Sequence, residues 1–175
     1  MTSTLRPHDI LLDSFGRIPP LYAEAVGGLD VAELLWRPEV DGVRNNSIGW
    51  IAWHLARMED AQLAQLAGRE QVWLADGWFR RSGVPYQPHA MGYGMGEQEV
   101  SLFDVTGAEV LLDYYAAVHA RSVEVIRSLS AADLGRVVDA SYDPPVTVAV
   151  RLVSVVDDAA QHVGQLAYLR GLRGR

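Results

Sequence analysis

Apolar positions recur at three-to-four spacing in four stretches of the chain, separated by glycines, prolines and residues that favour helix caps. The first stretch runs from about His8 to Val26, carries Ile10, Leu11, Leu12, Phe15, Leu21, Tyr22 and Val26, and ends at Gly27-Gly28. Pro19 and Pro20 fall inside it and cannot donate backbone hydrogen bonds, so the pattern predicts a kink or two shorter helices. Asp30 is placed to cap a short turn reaching Leu34, which Pro38 closes ahead of a loop, EVDGVRN. A second helix is predicted to open at Asn46 or Ser47 and to run to about Leu66, with Gly68 just past its end. Its apolar stripe is Ile48, Ile51, Ala52, Leu55, Met58, Leu63 and Leu66.

From about Arg69 to Val105 the period fades, and Trp73, Trp78, Phe79, Tyr86 and Tyr93 stand among glycines and prolines. A connection of this length usually carries function. The third helix is predicted from a capping box, Thr106 to Glu109, through Leu111, Tyr115, Val118 and Val125 to Leu129. The fourth follows Pro144-Pro145 and Thr147 and reaches about Arg170. Its valine-rich opening, VTVAVRLVSVV, also suits a strand, but its length and alanine-rich continuation favour a helix. Together these stretches predict one all-α domain over residues 1–175.

Composition narrows the function classes. The formal charge is -7, without a basic stripe, which argues against a phosphate backbone as partner. No apolar run approaches the roughly 18 residues of a spanning helix, and Pro7, His8 and Asp9 interrupt the opening MTSTLRPHDILLDSF, unlike a signal sequence. The expected location is the cytoplasm. Cysteine is absent, so any thiol chemistry has to use a sulfur from outside the chain.

Asp158 and His162 stand four apart on the predicted fourth helix, one turn apart on one face, a spacing that suits metal chelation. By itself this motif is more often a solvated pair. A lone His54 beside Trp50, Trp53 and Leu55 is more often a residue at the edge of a core. Asp157 points about 140° away from His162 and reads as a solvated charge. His119, one turn after Tyr115, could approach the same pocket, whereas His8 and His89 read as surface residues. Gln161 and Gln165 flank the His162 turn, and Gln165 is the better placed to orient a ligand.

Three segments, NSIGWIAWHLARMED, GYGMGEQEV and DPPVTVAVRLVSVVDDAAQHVGQLAYLRG, together resemble the DinB/YfiT-like superfamily over nearly the whole chain. The resemblance implies an up-down-down-up four-helix bundle with a long, partly irregular loop between helices 2 and 3. It implies His54, Asp158 and His162 as ligands of one divalent metal, zinc first, with nickel, manganese or iron as alternatives. Relatives carry His, or Glu in the mycothiol-dependent maleylpyruvate isomerases, where this chain has Asp158. Similar chains also often carry His at the position of Met95.

Three N/O ligands leave a coordination position open. The resemblance therefore implies a low-molecular-weight thiol such as mycothiol as cofactor, and transfer of its sulfur to an electrophilic substrate. Gln165, Tyr93, Trp78 and Arg80 are the expected cofactor-binding residues, and Arg81 could share the part of Arg80. A homodimer is also expected, with Trp73 and Trp78 as exposed anchors. The competing readings are a metal-dependent hydrolase, a non-haem iron enzyme, and a non-enzymatic stress-associated metal-binding bundle.

Overall fold

The structure is a computed structural model that describes residues 6–174; Met1 to Leu5, part of the opening stretch considered above, and Arg175 lie outside it. It is mostly helical. The first apolar stretch forms two helices, α1 (Pro7–Gly16) and α2 (Ile18–Val26), that meet at Arg17. The prolines fall in the first turn of α2, where a backbone N–H has no partner within the helix, so the chain breaks before them. Asp30 caps α3 (Val31–Leu35) as expected, accepting from the backbone of Glu33 at 2.8 Å.

The segment read as a loop, EVDGVRN, is instead a two-residue hairpin of β1 (Glu39–Val40) and β2 (Val43–Arg44). Asp41 and Gly42 both have positive φ, 52° and 77°, the conformation that Asp-Gly tolerates in tight hairpins. Helix α4 (Ile48–Ala67) starts on Ser47, whose hydroxyl accepts from Trp50 N, and stops at Gly68 in the left-handed region. The connection after it holds three short helices, α5 (Val72–Ala75), α6 (Trp78–Arg81) and α7 (Glu97–Val100).

Helix α8 spans Ala108–Ser128, and the expected capping box does not form. Gly107 takes the N-cap position, because the Thr106 backbone N–H and hydroxyl donate instead to the carbonyls of Ser82 and Arg81. Before the last helix, β3 (Val137–Asp139) pairs with β4 (Val146–Thr147) as a second small hairpin. Thr147 then caps α9 (Val148–Leu172).

Helix α4 packs on both α8 and α9, and α2 packs on the same two. The main core gathers Tyr22, Leu34, Ile51, Trp53, Leu111, Tyr115 and Leu166. A second cluster, with Phe15, Leu63, Ile126 and Leu152, closes the other end. Trp73 is 2% exposed and belongs to the core, packed on Tyr114, so it offers no anchor to a second copy. Trp78 is partly buried, with the Arg81 guanidinium 3.9 Å over its ring. Among the described residues no helix is long and apolar enough to cross a membrane.

A buried carboxyl lies between α4 and α8. Glu59 accepts from the Tyr115 hydroxyl at 3.0 Å through one oxygen, while its other oxygen has no hydrogen-bond partner among the described residues. Burial pushes its pKa up to about 7, against relief from Ser122 and Tyr115. The folded state therefore favours the protonated form. Its contribution to stability is complete below the ordinary carboxyl pKa of about 4.5 and is lost as pH rises through about 7. The expected result for Glu59→Gln is added stability at about pH 8, on the order of 3 kcal/mol, and little change at acid pH. Denaturant midpoints at the two pH values check it.

Candidate metal centre

His54 sits in the first half of α4 and is 7% exposed. Two contacts fix its ring. Trp50, one turn earlier, stacks on it with centroids 4.9 Å apart and planes 16° from parallel. Its Nδ1 meets the carbonyl oxygen of Met91 in the α4–α8 connection. A carbonyl only accepts, so Nδ1 carries the hydrogen and Nε2 keeps its lone pair.

Gly92 makes that contact possible. It has φ +90°, and a Cβ built there would stand 2.7 Å from His54 Nδ1 and 2.9 Å from the Trp50 ring. Only a residue without a side chain lets the strand of loop lie this close to the imidazole. Burial lowers the His54 pKa, the Met91 carbonyl partly offsets this, and the charges of His162 and Asp158 both reach it.

On α9, His162 projects toward His54, with ring centroids 4.9 Å apart and planes at 81°. Its Nδ1 lies 2.9 Å from Gln165 Oε1, again an acceptor, so this ring also carries its hydrogen on Nδ1. Its Nε2 then faces Asp158 Oδ1 at 3.5 Å. Burial acts to lower the His162 pKa, but contacts with Asp158 and Gln165 outweigh it, and the net shift is upward.

A neutral His162 in this tautomer brings a nitrogen lone pair against a carboxylate oxygen. Two acceptors at this range need a positive centre between them, either a proton on Nε2 or a metal ion. Two donors sharing one ion at about 2.0–2.1 Å lie roughly 3.3 Å apart in a tetrahedral site. By donor type and spacing the Asp158–His162 pair could share a divalent ion, with the His54 ring beside it as a further nitrogen donor. Among the described residues no group of three or more His, Cys, Asp or Glu side chains is arranged to hold a metal ion, so the pair and His54 do not form a ready-made cage.

The neighbouring residues sort themselves around this trio. Asp157 is exposed and accepts from Gln161 Nε2 at 2.8 Å, so both face away from His162, leaving Gln165 as the ring's partner. His119 is half-buried on α8, with Nδ1 unpartnered among the described residues. His89 is exposed as expected, whereas His8 is half-buried with its Nε2 enclosed, which corrects its reading as a surface residue.

Two open grooves flank the trio along the α4–α9 seam. One, of about 360 Å³, is lined by Met58, Gln62, Arg151 and Asp158 among others. The second, of about 340 Å³, is lined by Asn45, Asn46, Ile51, Gln165 and Tyr168 among others. Gln165 borders this second groove and partners His162 Nδ1. Tyr93, Trp78 and Arg80 line neither groove. Tyr93 is 84% exposed, Trp78 packs on Tyr114, and Arg80 borders a separate cleft with Glu70, Phe79 and Pro88.

The loop is held by a buried ionic cluster that the sequence did not reveal. Arg57, 0% exposed, donates to Asp60 Oδ2 at 3.2 Å, Gln71 Oε1 at 2.6 Å and the Ala90 carbonyl at 3.1 Å. Asp60 in turn accepts from the backbone N–H groups of Val72 and Trp73. Arg57 therefore fixes residue 90, next to the carbonyl that orients His54.

A model of the DinB superfamily matches residues 15–166, which include all three residues of the trio, and the chain belongs to that superfamily. The crystal structure of a conserved protein from Enterococcus faecalis is similar over 98% of this chain and 100% of its own, at 28% identity and a TM-score of 0.89. No curated protein matches the chain.

Proposed function

We propose that this DinB-superfamily chain is a four-helix bundle of up-down-down-up order in which His54, Asp158 and His162 hold one divalent ion, zinc first. We further propose that it works in the cytoplasm as a thiol-dependent S-transferase of the mycothiol type. The observation that carries this reading is the approach of His162 Nε2 to Asp158 Oδ1 at 3.5 Å, beside a second imidazole, His54, whose Nδ1 is held by the Met91 carbonyl.

Bound there, a zinc ion would supply a Lewis acid with an open position, able to lower the pKa of a thiol or water. The chain's own groups do the rest. The Met91 carbonyl and Gln165 fix both imidazoles with Nδ1 protonated and keep Nε2 available. Trp50 and the close approach of Gly92 shield one side of His54 from water. The absence of cysteine leaves the nucleophilic sulfur to a cofactor.

Cobalt substitution tests the thiol. Added mycothiol or bacillithiol is expected to produce sulfur-to-metal charge-transfer absorption that vanishes in His162→Ala, with glutathione binding less well. A cobalt spectrum that no thiol perturbs, together with hydrolase activity, would replace this reading with metal-hydroxide chemistry.

A further inference from the structure

The groove between the second half of α4 and the start of α9 has a composition that the trio does not explain. Met58, Val146 and Val155 give it apolar walls, Tyr142 stands at its lip, and Arg151 and Asp158 lie within it. Asp158 is matched by His162. Arg151 is the positive charge among the lining residues, and its side chain is only 18% exposed.

Arg151 is held rather than loose. Its Nη1 donates to Gln62 Oε1 across the groove, and its Nη2 lies 3.7 Å from Asp139 Oδ2. The other oxygen of that carboxylate, Oδ1, accepts from the backbone N–H of Ser141 at 2.9 Å and from its hydroxyl at 2.6 Å. A guanidinium has five N–H donors, so these two contacts leave it able to bind a carboxylate. Such a group, fixed against an apolar wall, is suited to the acid end of a partly apolar molecule.

Helical geometry sets a length as well. Arg151 and Asp158 are seven residues apart on α9, two turns along one face, which corresponds to about 10 Å of rise. A molecule anchored by its acid at Arg151 and lying along the groove brings its other end to the trio.

We propose that this groove binds an organic acid with an apolar body, anchored by Arg151, whose reacting end lies about 10 Å from its carboxylate. This rests on the S-transferase reading for the assignment of that molecule as the electrophile. The binding site itself does not need the metal. The groove lined by Asn45, Asn46 and Gln165 on the opposite flank is left for the hydroxyl-rich thiol.

The test uses the full chain, metal-free and zinc-loaded, with 3-phenylpropionate and 3-phenylpropionamide as probes in a ¹⁵N-correlation titration. The acid is expected to shift the amides of Gln62, Arg151 and Ser154 with at least tenfold higher affinity than the amide. Arg151→Met is expected to remove that preference, and Gln62→Glu, which sets a carboxylate against the guanidinium, is expected to do the same. Arg80→Met, in a separate cleft, is expected to leave it intact.

Equal binding of acid and amide, no shift with either, or an unchanged preference in both groove variants overturns the proposal. Because the metal-free titration stands alone, acid binding without any zinc binding would retain the groove and remove the metal reading. Zinc binding without acid binding would do the reverse.

Discussion

Replacing Arg57 with alanine is expected to cost about 3–5 kcal/mol of stability, the range for breaking a buried ion pair from one side. Arg57 and Asp60 are both buried, and Asp60 also holds the first backbone N–H groups of α5. Without the guanidinium, the carboxylate keeps two backbone donors and the Tyr114 hydroxyl but loses its counter-charge. Burial already raises its pKa, so the variant is expected to take up a proton there on folding. Chemical denaturation checks the stability loss. Imidazole ¹⁵N shifts check a second consequence, since release of the Ala90 carbonyl loosens the adjoining Met91 carbonyl and lets the Nε2–H tautomer of His54 appear.

Gly92→Val is expected to act more locally but as strongly on the site. The substitution places a β-branched residue at φ +90°, where even a Cβ meets His54 Nδ1 at 2.7 Å. The left-handed backbone alone costs roughly 1–2 kcal/mol, and the loop has to lift to clear the imidazole. Loss of the carbonyl that orients a ligating histidine typically weakens metal binding about 10–100-fold. Isothermal titration with zinc reads this directly. Gly94→Ala, with open space around its Cβ, serves as the control for strain without a clash.

The parts legible in the sequence were those fixed by local rules. Helix α4 begins at Ser47 and ends before Gly68 because a hydroxyl cap and a left-handed glycine are short-range signals. The pairing of Asp158 with His162, and the solvated role of Asp157, followed from helical angle alone. Asp-Gly between valines carried the first hairpin in plain sight, and reading the segment as a loop overlooked it.

Other features depend on partners far along the chain. Arg57 and Asp60 stand three apart on α4, and packing of Trp73 and Tyr114, far along the chain, buries them. Thr106 has a capping sequence, but Arg81 and Ser82 claim its polar groups. The Met91 carbonyl has no side-chain signature, and its trace in the sequence was Gly92 within Gly-Tyr-Gly. The same segment misled the placement of a cofactor site, since Tyr93 turns to solvent while Gly92 makes the contact.

Zinc content per chain after dialysis tests whether three side chains from two helices share one ion. The wild-type chain is expected to retain about one ion, and to hold it more firmly as pH rises, since contacts with Asp158 and Gln165 favour the proton that competes for His162. His54→Ala, Asp158→Ala and His162→Ala are each expected to lose it, and Asp157→Ala to keep it. Full zinc in His54→Ala, or loss from Asp157→Ala with retention in Asp158→Ala, would contradict the account.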